Sequence, residues 1–111
     1  MTISTTGSDI VIAHVHARAL DASNSRDFKF AISPLLKPEA KLVFDLAELA
    51  FVDSTGLGAL VSCLRHAHES KGEIKLCALN KPVRALFELV RMHRVFEIFN
   101  NPAEAVSSYL T

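Results

Sequence analysis

The chain has 111 residues, half of them apolar, and its twelve basic side chains balance its twelve acidic ones. This length suits one domain with a hydrophobic core and is too short for two, so we treat residues 1–111 as a single domain. A net charge of zero argues against a nucleic-acid surface or an anionic-membrane surface.

Targeting and cysteine signals are both weak. The N-terminal segment "MTISTTGSDI" lacks the basic region and apolar run of a secretory signal, and no apolar stretch approaches the ~20 residues that span a bilayer. Cys63 and Cys77 are too few for a disulfide framework, and neither has a second cysteine at metal-ligand spacing. We therefore expect a cytoplasmic protein with both cysteines in its core and no bound metal.

The first elements predicted are a hairpin and a helix. A short strand around Ile3 and a second strand over Ile10–Val15 are joined by a turn near residues 7–9. Ser23 or Asn24 can cap the helix that follows, whose apolar positions recur at helical spacing: Phe28, Ile32, Leu35 and Leu36. Pro34 is expected to shorten or kink this helix.

The middle of the chain predicts a buried strand and a long helix. Lys41–Leu46 is apolar on both faces except at Asp45, which is typical of a central strand covered by helices. A helix is expected from Ser54 to Glu69, with Gly72 as its left-handed cap. Its apolar stripe is Leu57, Leu60, Val61, Leu64 and Ala67.

The last third repeats the alternation. A strand over residues 73–79 precedes a helix over residues 81–92, and a strand over residues 95–99 precedes a last helix from Pro102 to Leu110. The inward positions expected on the third helix are Val83, Leu86, Phe87 and Val90. This order predicts an α/β domain with a mostly parallel or mixed sheet and right-handed crossovers.

The stretch "FVDSTGLGAL" places a carboxylate and two hydroxyls between a strand and a helix. These oxygens can satisfy the unpaired amides of the first helical turn, while Gly56 and Gly58 allow close packing on the strand. The same geometry would place a phosphoryl group on Ser54 at the positive end of the helix dipole. Such a group would repel a partner that docks on the neutral hydroxyl.

Enzymatic interpretations of this stretch fit poorly. A serine-hydrolase elbow needs Gly-x-Ser-x-Gly, but Val52 stands two residues before Ser54. An aspartic-protease half places its Asp directly before a hydroxyl residue and Gly, and here Asp53 is one residue too far from Gly56. Neither nucleotide-binding glycine pattern is present. A small hydrolase using Asp53 or Ser54 is therefore the weakest alternative.

The segments "LVFDLAELAFVDSTGLGALVSCLRHA", "GEIKLCALNKPVRALFELVRMHRVFEIFNNPAEAV" and, more loosely, "ALDASNSRDFKFAI" resemble the STAS domains. A free-standing copy of this length resembles the bacterial anti-sigma factor antagonists. The resemblance implies an α/β STAS-type domain with a mixed four- to five-stranded sheet and about four helices, mainly on one face. It departs from the family pattern at Arg18, where a Gly is usual.

The resemblance also implies a phosphorylation-controlled switch. In this family the unphosphorylated antagonist sequesters an anti-sigma factor that is also a GHKL-type serine kinase, and a PP2C-type phosphatase reverses the phosphorylation. Carried over to this chain, the acceptor is Ser54, with Thr55 as second choice. The partner surface would comprise Asp21, Asn24, Asp53, Ser54, Thr55, Gly56, Leu57 and Gly58.

Two further expectations follow from the resemblance. The protein would be a monomer or weak dimer without catalysis or a cofactor of its own, since the kinase supplies ATP and Mg²⁺. The alternative is a STAS subunit of a transport, lipid-trafficking or stress-signalling complex, in which the hydroxyls only cap the helix.

Two polar clusters remain outside this interpretation. His14 and His16 alternate on one strand face and suggest a pair of metal ligands, but a solvent-facing strand surface is favoured because no third ligand is near in the sequence. The run from Arg91 to Arg94 is either a contact for an acidic partner surface or a solvated helix end, and Arg84 is a further contact candidate.

Overall fold

The computed structural model describes residues 1–110 and contains one five-stranded sheet and one two-stranded sheet. The strands are β1 Thr2–Thr6, β2 Ile10–His16, β3 Ala19–Leu20, β4 Lys41–Asp45, β5 Phe51–Val52, β6 Glu73–Cys77 and β7 Ile98–Phe99. The helices are α1 Ser25–Ile32, α2 Ser54–Glu69, α3 Lys81–Leu89 and α4 Pro102–Tyr109. Short 3₁₀ turns follow α1 over Ser33–Leu35 and α3 over Met92–Arg94.

The larger sheet is mixed and has the order β1-β2-β4-β6-β7. Only the hairpin of β1 and β2 is antiparallel, and β2, β4, β6 and β7 pair in parallel. β4 lies in the centre of this sheet, as its two apolar faces predict. The small β3–β5 sheet is parallel and pairs Leu20 with Val52.

Helices cover the two faces of the sheet unequally. Side chains of α1, α2 and α3 pack with Leu42 and Phe44 of β4 in the main core. The intervening Val43 points to the opposite face, where it packs with Ala105 of α4, because successive side chains of a strand alternate. Three of the four described helices therefore share one face, which confirms the expected α/β architecture. None of the described helices has the length and apolarity to cross a membrane.

A buried lysine ties α4 to its face of the sheet. Lys75 of β6 is only 7% exposed, and its Nζ atom donates to the Ser108 hydroxyl at 2.7 Å. The ammonium also lies 4.1 Å from the ring centroid of Tyr109, within the range of a cation–π interaction. The Tyr109 hydroxyl lies 2.7 Å from the carbonyl oxygen of Leu42. These contacts satisfy the buried charge and fix the last helix.

The ends of α1 and α3 test the predicted helix boundaries. α1 ends at Ile32, directly before the 3₁₀ turn that contains Pro34, which confirms the expected shortening. α3 was predicted to reach residue 92 but ends at Leu89, because Arg91 takes a left-handed conformation with φ of 62°. Val90 is consequently 40% exposed, and its predicted inward position is wrong.

The left-handed residue after α2 is Lys71, with φ of 61°, and the prediction of Gly72 at this position is wrong. Gly72 serves a different purpose. A Cβ atom there would lie 2.8 Å from the Ala40 carbonyl oxygen and 3.0 Å from the Ala40 nitrogen. The glycine is required because the chain passes close to the residue that precedes β4. Strand β6 likewise stops at Cys77 rather than at residue 79, since Ala78 has φ of 62°.

Candidate functional site

The turn between β5 and α2 is built around Asp53. This residue is the N-cap of α2, with an extended backbone, and its Oδ1 atom accepts a hydrogen bond from the Gly56 N–H at 2.8 Å. One of the unpaired amides of the first helical turn is thereby satisfied. The structure thus confirms the predicted N-cap and places residues 54–58 on the first turns of a sixteen-residue helix.

Asp53 also connects this turn to the loop after β3. Its Oδ2 atom accepts a hydrogen bond from the Ala22 N–H at 3.2 Å, and its own N–H donates to the Leu20 carbonyl at 3.3 Å. The parallel pairing of β3 with β5 brings the two segments together. The loop that carries Asp21 and Asn24 therefore lies against the start of α2, and the predicted partner residues occupy two adjoining segments.

The two glycines of α2 have different environments. A Cβ atom on Gly56 would lie 2.0 Å from the carbonyl oxygen of Leu20, so only glycine allows α2 to approach the end of β3 this closely. A Cβ atom on Gly58 would meet nothing within 4 Å, and the residue is exposed. The expectation of close internal packing is confirmed for Gly56 and wrong for Gly58.

Asn24 holds the neighbouring loop in shape. It occupies the N-cap position of α1, but its side chain makes no capping hydrogen bond. Its Oδ1 atom instead accepts from the Asp21 N–H at 2.9 Å, and its Nδ2 atom donates to the Ala19 carbonyl at 2.8 Å. Ser23 does not cap α1 either, because its hydroxyl donates to the Asp21 carboxylate. The predicted N-cap position of Asn24 is therefore confirmed, but the expected side-chain capping hydrogen bond is absent, because both candidate side chains close the loop instead.

The Asp21 side chain is half-buried, and its carboxylate is hydrogen-bonded within the loop. It accepts from both the hydroxyl and the N–H of Ser23, and these hydrogen bonds lower the pKa of Asp21 below its ordinary value. A negative charge therefore persists at the rim of the site to more acidic pH than usual.

Ser54 and Thr55 occupy the first two positions of α2 and are exposed. Within residues 1–110 the Ser54 hydroxyl makes no hydrogen bond, so it is free to be modified or to contact another molecule. Leu57 is half-buried and packs against the main core. In the same described part of the chain no histidine hydrogen-bonds to Ser54 or Asp53, which leaves a hydrolase at this turn without a base.

An exposed aromatic ring beside this turn was not singled out in the sequence. Phe51 of β5 is 56% exposed, and it lines a groove of about 200 Å³ together with Pro82 and Leu86 of α3. In the run "FVDST" Phe51 looks like an ordinary strand residue, so the sequence gives no sign that its ring is exposed.

The other candidate residues lie outside this turn. His14 and His16 each hydrogen-bond to a carboxylate, of Asp45 and Glu48 respectively, and no described group of three or more ligands could hold a metal ion. The acidic partners were missed in the sequence because they lie 31 and 32 residues away. Arg84 and Arg94 line a separate cavity of about 540 Å³ near the end of α3.

Comparison of the sequence with known proteins gives a consistent result. The sequence profile of the STAS domain matches residues 3–105. An anti-sigma F factor antagonist of Paenibacillus polymyxa is 29% identical over 66 residues, which cover 60% of this chain and only 56% of that protein. An anti-sigma-B factor antagonist of Listeria monocytogenes is 30% identical over 89 residues, which cover 79% of this chain and 78% of that protein.

Solved structures have the same fold. An anti-sigma-factor antagonist (STAS) domain protein from Planctomyces limnophilus superimposes with a TM-score of 0.88 at 15% identity, over 98% of both chains. The phosphorylated form of the Bacillus cell-fate determinant SpoIIAA gives a TM-score of 0.70 at 17% identity, over 97% of this chain and 99% of that chain. The profile match, the sequence relatives and the fold agree: the chain belongs to the STAS domain family.

Proposed function

We propose that this protein is an anti-sigma factor antagonist whose binding to its partner is switched off by phosphorylation of Ser54. The observation that carries the proposal is the exposed, unengaged Ser54 hydroxyl at the first position of α2. The names of its relatives, and a solved relative in a phosphorylated form, support the assignment.

The partner surface consists of two segments: residues 21–24, and residues 53–58. Asp53 holds them together through its hydrogen bonds to Gly56 and Ala22. In the unphosphorylated form this surface docks on an anti-sigma factor with GHKL-type serine kinase activity, which supplies ATP and Mg²⁺. A PP2C-type phosphatase restores the hydroxyl. The antagonist needs no catalysis of its own for this cycle, which runs in the cytoplasm.

Phosphorylation changes this surface through charge. A phosphoserine carries a charge near −2 and three acceptor oxygens. At Ser54 it would lie at the positive end of the α2 dipole, where amide donors favour an anion. The adjacent Asp53 carboxylate already accepts a hydrogen bond from the Gly56 amide. The phosphate would add negative charge beside this carboxylate and would repel acidic groups of a docked partner. Desolvation of the phosphate adds to this cost.

Gly58 supports the proposal independently of Ser54. Glycine inside a helix costs about 1 kcal/mol relative to alanine, and nothing in the described structure fills the space a side chain would take. Gly58 lies one helical turn after Ser54, on the same side of α2. The open backbone there fits the close approach of a partner to the helix.

The direct test is intact-mass and peptide mass spectrometry on the protein purified from its own cells, with a phosphatase-treated control. We expect one phosphate on Ser54, and pull-down of a kinase by the unmodified protein and by S54A. The T55A variant should keep the phosphate, whereas S54A should lose it.

The alternative predicts a different result. A STAS subunit of a transport, lipid-trafficking or stress-signalling complex would carry no phosphate under growth, starvation or stress. It would also carry none after incubation with cell extract and ATP. That outcome would reject the switch and leave residues 53–58 as a fixed binding surface.

A further inference from the structure

Two triads of hydrogen-bonded side chains lie at the edge of the larger sheet, away from the β5–α2 turn. In the first, the Ser4 Oγ atom of β1 lies 2.7 Å from His16 Nε2, and His16 Nδ1 lies 2.7 Å from Glu48 Oε2. Ser4, His16 and Glu48 thus form a continuous hydroxyl–imidazole–carboxylate triad. All three groups are reachable from solvent.

A second triad of hydrogen-bonded side chains lies beside the first. Thr6 Oγ1 lies 3.1 Å from His14 Nε2, and His14 Nδ1 lies 2.8 Å from Asp45 Oδ2. The two imidazole rings are stacked, with centroids 6.5 Å apart. Because Ala13 and Val15 of β2 are buried in the main core, the alternating His14 and His16 point to the opposite face of the sheet.

The Ser4–His16–Glu48 triad has the geometry that activates a hydroxyl as a nucleophile. The carboxylate of Glu48 accepts a hydrogen bond from the Nδ1–H group of His16, and this selects the tautomer whose Nε2 lone pair faces the Ser4 hydroxyl. A nucleophile within hydrogen-bond reach of a base, itself oriented by a third group, is the arrangement of nucleophilic catalysis on many unrelated folds. Such sites are recognised by geometry and not by the order of residues in the chain.

We infer that Ser4 is a base-activated hydroxyl that accepts acyl groups from activated esters and thioesters, with His16 as general base and Glu48 as its positioning residue. In this step the Ser4 Oγ attacks the carbonyl carbon of the donor while its proton passes to His16 Nε2. The bond from the carbonyl carbon to the leaving oxygen or sulfur breaks. The leaving group departs with the electron pair, and His16 returns the proton to it or to water. Nothing is oxidised or reduced, and the product is an ester on Ser4.

Thr6 is the weaker nucleophile of the two hydroxyls. Its contact to the imidazole is longer, 3.1 Å against 2.7 Å, and its alcohol is secondary. The Thr6–His14–Asp45 triad therefore provides an internal comparison: it has the same three kinds of chemical group, and its hydroxyl and imidazole lie on the same two strands, β1 and β2. General-base assistance is worth roughly 10²–10⁴-fold in an enclosed site, and we expect about tenfold or more at this exposed one.

The experiment uses the full chain and p-nitrophenyl acetate as the donor. Acetylation at each serine is followed by peptide mass spectrometry, and hydroxylamine treatment distinguishes esters from amides. Ser62 is exposed on α2 and belongs to neither triad, so its acetylation gives the background rate. The variants are H16Q and E48Q. The matched control is H14Q, which also removes a hydrogen bond from a β2 imidazole to a hydroxyl of β1. Circular dichroism checks that each variant is folded.

We expect Ser4 to react about tenfold or more faster than Ser62, and both H16Q and E48Q to reduce its rate to the background. H14Q should leave the Ser4 rate within twofold. The rate should rise with pH to a plateau in the unaltered protein, and E48Q should lower that plateau. A Ser4 rate equal to that of Ser62, or one unchanged by H16Q and E48Q, would overturn the inference.

Discussion

The Asp53 carboxylate accepts one hydrogen bond from the Gly56 N–H within its own turn and a second, at 3.2 Å, from the Ala22 N–H across the loop after β3. One side chain therefore caps α2 and also positions the loop that contains Asp21 and Asn24. Substitutions at Asp53 should affect the capping of α2 and the position of this loop to different degrees.

The variant D53A should lower the free energy of unfolding by about 1–2 kcal/mol, because it removes the α2 cap and the hydrogen bond to Ala22. D53N keeps an oxygen for the Gly56 N–H and loses only the second acceptor, so its loss should be smaller. Urea unfolding followed by circular dichroism measures both. Equal losses in the two variants would contradict the assignment of one oxygen to each partner.

The variant S54A should change the free energy of unfolding by less than about 0.5 kcal/mol, because the cap belongs to Asp53 and the Ser54 hydroxyl has no partner in residues 1–110. Under the proposed function S54A should also bind the kinase constitutively, and S54D should bind it weakly. Calorimetric titration with the purified kinase would show the difference. A loss of stability in S54A as large as that in D53A would mean that Ser54 caps the helix.

The variant G58A should raise stability and weaken partner binding. Alanine removes up to about 1 kcal/mol of helix cost, and its methyl group meets nothing within 4 Å in this chain. A partner lying against the helix would meet that methyl group. The matched variant G56A should instead be strongly destabilised, because its Cβ would clash with the Leu20 carbonyl oxygen. Unchanged affinity in a stabilised G58A would remove Gly58 from the interface.

The Asp21 carboxyl should titrate below the usual range for aspartate, and the variant S23A should return it toward that range. The hydrogen bonds from Ser23 favour the charged form and so lower the pKa of Asp21. Because the folded pKa is the lower one, this contribution to stability is present above the unfolded pKa and is lost as pH falls through the folded pKa. Carbon-13 NMR titration of the Asp21 side chain in both proteins measures the shift.

Neither cysteine should react with Ellman's reagent in the folded protein near pH 8. Burial raises the pKa of Cys63 to about 11 and that of Cys77 to about 12, so little thiolate is present. Both should react rapidly in 6 M urea, where the burial is removed. Fast reaction of either thiol without denaturant would show that its side chain opens to solvent.

Much of the fold could be predicted because its signals are local. The change from strand to helix at "FVDSTGLGAL", the cap at Asp53 and the central position of β4 depend on residues a few positions apart and on burial patterns along one element. The shortening of α1 at Pro34 is local for the same reason. The sequence was also sufficient for the resemblance to STAS domains, since its motif is a short continuous run.

Only the tertiary structure decided which distant groups meet. The β3–β5 pairing brings Ala22 to Asp53, 31 residues away. It also explains why internal packing requires glycine at position 56, whereas the packing of this chain makes no such demand at position 58. Asn24 was expected to cap α1, but the folded loop offers it better partners at Asp21 and Ala19. Likewise His16 gains both Ser4 and Glu48 only after three segments of the chain lie side by side. Local patterns specify an element, whereas the strand order and register decide its neighbours.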